Sequence, residues 1–401
     1  MKKAAMLISL FISVSMLFVQ CTKDENIINV YSENDEESSK YEKIITDYGA
    51  VGDGETDCSD IINSLIQEMP ASGGVIVIPE GDFVLDKPIT VTRNYITIKG
   101  VNPGIRSNID INVDELLGPG GGSKLILRNA SYGIHVPIIN DVNNQKNRIS
   151  SLEIRDLLIS GGTSNKGTGI YIQQDNDRCR ISNFIGINLN FGINVTAADA
   201  MIIRDCWVSE VQNSIVMTEG IQNMITNCQL GAQPSGVTCK LVNQENFVFT
   251  SNHIYPNGST NLLLSNCNYV NITANNFQSY YVGMLELSGD NNLVNGNIFW
   301  MRDSSGQLRG KGEEHGVIRI EGNSNQISTN TVKCDWNTSS ANPVTVRSVS
   351  GENNIFNNLA IKNQTSSKVF YVNETTRIID CVPASKVMID GDPATVFIRY
   401  E

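Results

Sequence analysis

Ile181-Ser182-Asn183, Ile203-Arg204-Asp205, Ile225-Thr226-Asn227, Thr250-Ser251-Asn252, Thr273-Ala274-Asn275, Asn295-Gly296-Asn297, Ser328-Thr329-Asn330 and Phe356-Asn357-Asn358 close eight short apolar runs. The steps between their final residues are 22, 22, 25, 23, 22, 33 and 28. One polar residue recurring at the end of a β-rich run marks a repeat architecture. The step is too long for a hairpin, and helical periodicity is nearly absent. Coils wound in parallel and stacked about 4.8 Å apart satisfy both facts. Equivalent Asn side chains would then form a hydrogen-bonded ladder at one corner. The pattern predicts an all-β chain, a right-handed parallel β-helix. A β-sandwich would space its strands more closely and leave the ladder unexplained.

Outward from the repeat, one helix is expected over 59–69. Ile61, Ile62, Leu65 and Ile66 form its apolar stripe, with Asp57 and Ser59 as N-cap candidates. An open β-helix end exposes core and strand edges, so a capping helix has a structural purpose there. Asp47-Tyr48-Gly49-Ala50-Val51-Gly52-Asp53-Gly54 leads into it, and no Gly-Lys-Ser/Thr follows to make a phosphate loop. The 33-residue step leaves an insertion between Trp300 and His315, and insertions in repeat proteins form loops on one face.

The beginning of the chain sets a compartment. Lys2 and Lys3 precede an apolar run over 4–19, and Leu17-Phe18-Val19-Gln20-Cys21 resembles a loose lipobox. Residues 1–21 are therefore expected to be a lipoprotein signal peptide with Cys21 as the lipidated residue. Thr22-Lys23-Asp24-Glu25 resembles a lipoprotein surface-export signal, so the expected location is the outer membrane, facing outward. Residues 22–43 are polar and acidic and read as a tether, leaving 44–401 as one β-helix domain. A net charge of −12 disfavours nucleic acid and strongly anionic glycans, and favours a neutral oligo- or polysaccharide. The other eight cysteines form no CxxC pair and sit in apolar runs, where a free thiol packs as a small hydrophobe. His135, His253 and His315 have no metal-ligand spacing, so neither a metal nor a cofactor is expected.

Glycosidic-bond chemistry needs two carboxyl groups beside one linkage. Asp205 is the one acid at a ladder position otherwise filled by Asn, and Glu210 follows five residues later. An ionised Asp accepts but cannot donate along such a ladder. Asp175 and Asp177 form an acidic turn, Glu245 and Gln278 sit near strand ends, and Tyr280-Tyr281 could stack on a sugar ring.

The region 151–330 resembles glycoside hydrolase family 91, the inulin fructotransferases. The runs that carry the resemblance are Asp175-Asn176-Asp177, Ala198-Asp199-Ala200, Asp205 with Glu210 and Asn213, and Gly231-Ala232-x-Pro234-x-Gly236-Val237-Thr238. Asn243-x-Glu245, Pro256-x-Gly258, Cys267-Asn268, Gln278, Tyr281-x-Gly283-Met284-Leu285 and Arg309-Gly310-x-Gly312 continue it. The segment through Gly73-Gly74-Val75-Ile76-Val77-Ile78-Pro79 resembles the opening of many pectate-lyase-like β-helices. The resemblance implies a homotrimeric β-helix with sites at subunit clefts. It also implies release of a difructose anhydride from β-2,1-fructan by attack of a neighbouring fructose hydroxyl, without water.

By position, the family's catalytic Asp falls on Asp205, and Asp175, Asp177, Asp199, Glu245, Gln278, Tyr281 and Arg309 become substrate-binding candidates. The family's catalytic Glu falls on Val216, which can neither give nor take a proton. The family's Glu-Asn-His-Glu reads Val242-Asn243-Gln244-Glu245, and its Pro-Arg-Gly reads Pro256-Asn257-Gly258. The second carboxylate is then Glu210 or Glu245. A non-catalytic glycan-binding lipoprotein and a pectate-type polysaccharide lyase are the rival readings.

Overall fold

The computed structural model describes residues 40–104, 121–139, 148–162, 167–302, 311–335, 344–362, 369–381, 387–390 and 397–399. Each central coil carries three strands. One coil runs Phe191–Asp199, Ile202–Arg204 and Trp207–Val211; the next runs Asn213–Ile221, Met224–Thr226 and Gln229–Ala232. Each strand pairs in parallel with its counterpart one coil on, as Ile193 with Ile215, Ile203 with Ile225 and Trp207 with Gln229. The result is a right-handed parallel β-helix with a long face and two short faces. Alternation fills its interior: Ile193, Val195, Ile215, Met217, Cys239 and Leu241 point inward and are buried. Asn194, Val216 and Lys240, paired in register between them, point outward. Inside the second short face, the Phe277 and Phe299 rings stack with centroids 4.7 Å apart.

Two of the three corners turn on a single left-handed residue. Between the short faces these are Asn183, Asp205, Asn227, Ser251, Ala274, Gly296, Thr329, Asn358 and Asp380, all with φ between 46° and 65°. Between the long and first short faces they are Ala200, Gln222, Asn246, Tyr269, Asn291, Ser324 and Asn353. Asn and Asp tolerate that conformation better than most residues, which accounts for their abundance at the first corner.

This geometry corrects the expected ladder. Asn183, Asp205, Asn227 and Asn358 belong to the left-handed column, one residue before the buried one. The buried column holds Asn252, Asn275, Asn297 and Asn330, and continues as Cys228 and Cys206 in earlier coils. Asn275 Oδ1 accepts from Asn252 N at 2.9 Å and Asn252 Nδ2 at 3.1 Å. Its own Nδ2 donates to Phe249 O and to Asn297 Oδ1, both at 2.9 Å. Asp205 thus lies outside the buried ladder, and Asp156 and Asp380 are further acids in its column, where Asn183 donates to Asp156 and Asn227 to Asp205. A parallel ladder at the other corner runs through Asn292, Asn325 and Asn354, which the sequence reading missed.

The helix spans Ser59–Glu68 with Ile62, Leu65 and Ile66 buried. Its N-cap position is Cys58, without a side-chain cap; Asp57 Oδ1 accepts from Ser59 N and Oγ and from Asp86 N instead. The first strand, Glu42–Ile44, pairs with Gly74–Val77 and so begins inside the stretch read as a tether. All eight cysteines from Cys58 to Cys381 are buried free thiols, as packing predicted. The third corner, between the second short face and the long face, has no such repeated turn. It carries the loops of unequal length that make the coil steps vary, among them Pro256–Gly258 and the insertion before His315.

Replacing Asn275 strands buried amide and carbonyl groups in two adjacent coils, each at a cost of about 1–3 kcal/mol. Asn275→Ala should therefore lower unfolding stability by about 2–4 kcal/mol, while Asn227→Ala at the exposed corner should cost less than about 1 kcal/mol. Chemical denaturation of both variants checks the difference; equal losses would mean the ladder register is misassigned.

Candidate functional site

Glu210 lies near the end of Trp207–Val211, with φ of 52°, inside a register shift between Val208 and Val211. A bulge of this kind bends the strand and re-aims a side chain. Here the carboxylate joins a cavity of about 200 Å³ lined by Trp207, Ser209, Gly231, Ala232, Tyr255, Pro256 and Asn257. Gln233 Nε2 donates to Glu210 Oε2 at 3.2 Å, and Tyr255 OH donates to Gln229 Oε1 at 2.7 Å. Gly231 keeps the cavity open: a Cβ there would meet Ser209 Oγ at 2.9 Å and Tyr255 at 3.1 Å. Rigid aromatic walls, an acceptor pair and an amide donor are what a sugar ring needs.

Asp205 sits apart from this cavity. Its carboxylate is 43 % exposed at the corner, accepts from Asn227 Nδ2 at 2.5 Å, and lies 3.9 Å from Arg204 Nε. Asp205 turns the corner before Trp207–Val211 and Glu210 stands near the other end of that strand, so their Cα atoms are up to about 15 Å apart. Val216 faces outward on the long face, between Asn194 and Lys240.

The acidic candidates gather at the far end of the long face. Asp177 pairs with Asp199, which pairs with Ile221, which pairs with Glu245, in one row across successive coils. Arg148 joins Asp175 at 3.0 Å to Asp199 at 3.3 Å. Asp175, Asp177 and Asp199 are thus brought together, Glu245 lies two coils beyond Asp199, about 10 Å away, and Glu210 is on another face. Gln278 lies on the second short face, 3.4 Å from His253 Nε2 and 3.5 Å from Arg302. Burial holds His253 below its usual pKa, so its ring is neutral at pH 7. Tyr281 is buried, which removes it as a stacking platform; Tyr280 is the more exposed ring, with Arg302 over it. Cys21 and Arg309 lie outside the described residues. Among the described residues, no group of three metal-ligating side chains is assembled.

A cluster that the sequence reading missed lies on the long face. Glu286 Oε1 accepts from Lys311 Nζ at 2.6 Å and Thr260 Oγ1 at 2.9 Å. His315 Nε2 lies 3.2 Å from the same oxygen. Burial acts to raise the Glu286 pKa and is outweighed by His315 and Lys311, which bring it to about 2. Lys311 lies at the end of the insertion and His315 just after it, so this pair ties that part of the chain to the long face. The signal was present in Leu285-Glu286-Leu287-Ser288, where alternation places Glu286 outward among buried leucines.

Comparison with known proteins gives this geometry a context. The family described as rhamnogalacturonase A/epimerase, pectate lyase-like, matches residues 43–238. The DFA-I-forming inulin fructotransferase of Arthrobacter globiformis is 26% identical over 350 residues, 80% of this chain and 88% of that one. This chain is similar to that inulin fructotransferase over most of its length. The crystal structure of a DFA-IIIase from Arthrobacter chlorophenolicus A6 without its lid superposes with a TM-score of 0.78 and 24% identity, covering 90% of this chain and 99% of that one. The same enzyme in complex with GF2 superposes with a TM-score of 0.78 at 22% identity, over 90% of this chain and 99% of that one. These likenesses show the right-handed β-helix fold over 90% of this chain.

Because the Glu286 pKa is lower in the folded chain than the ordinary 4.5, its contribution is full above that value and lost as pH falls toward 2. Thermal midpoints taken from about pH 6 to about pH 2.5 should fall more steeply for the parent chain than for Glu286→Gln. Parallel curves would show that Glu286 is not held ionised by Lys311 and His315.

Proposed function

We propose that this chain cleaves β-2,1-linked fructan by intramolecular fructosyl transfer, releasing a difructose anhydride. The observation that carries the reading is the Glu210 cavity, a carboxylate between Trp207 and Tyr255 on a scaffold related to an inulin fructotransferase. In the reaction, a hydroxyl of the neighbouring fructose forms a new bond to the anomeric carbon as the old glycosidic bond breaks. A base takes the hydroxyl proton and an acid returns one to the leaving oxygen, so no water is consumed. An attack within one substrate draws on proximity, and the protein supplies orientation and proton transfer. Asp205 and Glu210 are assigned to the proton transfers. The separation of these two carboxylates within one chain supports a homotrimer in which Asp205 of one copy and Glu210 of another meet the same linkage. The acidic row of Asp175, Asp177, Asp199 and Glu245, together with Gln278, is assigned to sugar hydroxyls.

Lipidation at Cys21 and display on the outer membrane complete the proposal; their support is the basic, apolar and Cys pattern at the chain's start. A non-catalytic glycan-binding role is favoured by one observation, the apolar Val216 between Asn194 and Lys240.

Asp205→Asn and Glu210→Gln should each reduce turnover of inulin by about 10²–10⁴-fold. Refolding the two inactive variants together should restore part of the activity, because mixed trimers contain sites with both carboxylates. Activity retained in both single variants would remove them from the chemistry. Gly231→Val should raise KM for inulin by at least about tenfold by filling the cavity, and an unchanged KM would place the substrate elsewhere.

A further inference from the structure

The long face holds a second cavity, of about 230 Å³, on a different face from the Glu210 pocket. Its lining includes the outward residues of three adjacent strands: Leu263 and Ser265, Glu286 and Ser288, Arg319 and Glu321. Leu263, Glu286 and Arg319 lie side by side in register, as do Ser288 and Glu321. Glu286 and Glu321 are therefore diagonal neighbours, with Cα atoms about 8 Å apart.

The bonding of the two carboxylates is what marks this cavity as a built site. The donors around Glu286 converge on Oε1. Arg319 Nε and one terminal nitrogen both donate to Glu321 Oε1, at 3.0 and 2.6 Å. Each carboxylate is thus fixed through Oε1, which leaves Oε2 to accept. Glu286, held ionised, has no proton to give and so is not a glycosidase acid. The two carboxylates form an acceptor pair beside two serine hydroxyls and a leucine side chain. Such a surface recognises a neutral ligand rich in hydroxyl donors and offers an apolar patch to its C–H groups. The cavity is smaller than the roughly 300 Å³ lower bound for drug-sized ligands, which suits one sugar ring. Arg319, the cation lining the cavity, is already paired with Glu321, so an anionic sugar finds no free counter-charge there.

We propose that this cavity is a second carbohydrate site, which takes one neutral sugar ring of the polysaccharide apart from the pocket at Glu210. The identity of that polysaccharide as fructan rests on the proposed function; the acceptor geometry does not. Lys311 and His315, which follow the insertion in the chain, both reach Glu286 Oε1.

The test is calorimetric titration of the full chain carrying Glu210→Gln, which prevents turnover, with a β-2,1-linked fructo-trisaccharide. Saturable binding is expected, insensitive to an equal concentration of D-galacturonate. Adding Ser288→Leu, which fills the cavity from an outward position outside the ion pairs, should weaken binding by about tenfold or more without moving the thermal midpoint. Glu321→Gln should weaken it similarly. Absence of binding, unchanged affinity in both variants, or displacement by galacturonate overturns the proposal. Inulin turnover by the parent chain is measured separately. Ser288-sensitive binding without turnover would sink the fructotransferase reading and leave this site standing.

Discussion

Parallel coils stacked about 4.8 Å apart impose one demand on every coil: the corners must repeat. A side chain that turns the chain or caps a backbone group in one coil must find its counterpart directly above. Asn252, Asn275 and Asn297 meet that demand, each accepting from the coil before and donating to the coil after, and Asn330 ends the run by accepting from Asn297 and donating back to Val294 O. Asn292 and Asn325 do the same at a second corner, where the run ends on Asn354. The left-handed residue beside each ladder position makes the turn tight enough for the interior to close on Phe249, Phe277 and Phe299.

Two corners fixed in this way leave the third to vary, and the chemistry gathers near it. The Glu210 cavity is bordered by Pro256 and Asn257 from one third-corner loop. Lys311 and His315 from another reach back to Glu286. Rigid strands aim the carboxylates and variable loops enclose them, a division found wherever binding residues sit on a repetitive scaffold. Val216 belongs to the invariant part of the coil, outward on a regular strand. Its own side chain cannot carry a proton, so a substitute acid has to come from another position or another copy.

The fold was legible because its period is written in residue types. Short β-branched runs, Asn corners and the 33-residue step all survive in the linear sequence. The register within the corner was not, because Ser251-Asn252 and Arg204-Asp205 look alike until the backbone shows which residue is left-handed. That single-residue shift moved Asp205 from a buried ladder to an exposed corner. Glu210 was legible as a carboxylate near Asp205, but the bulge that re-aims it was not. Trp207, Tyr255, Glu286 and Glu321 escaped because their neighbours come from strands 20 or more residues away, and nothing local marks that meeting. The acidic row was seen residue by residue; only the parallel register shows that Asp177, Asp199 and Glu245 share a line.

The central claim is that a fructose hydroxyl, not water, takes the anomeric carbon. Incubating the purified chain with inulin in ¹⁸O-labelled water and weighing the disaccharide product by mass spectrometry tests it directly. The account predicts a product one water lighter than difructose and free of ¹⁸O. A difructose or fructose product carrying one ¹⁸O at the anomeric position would contradict it, because water would then have been the attacking group.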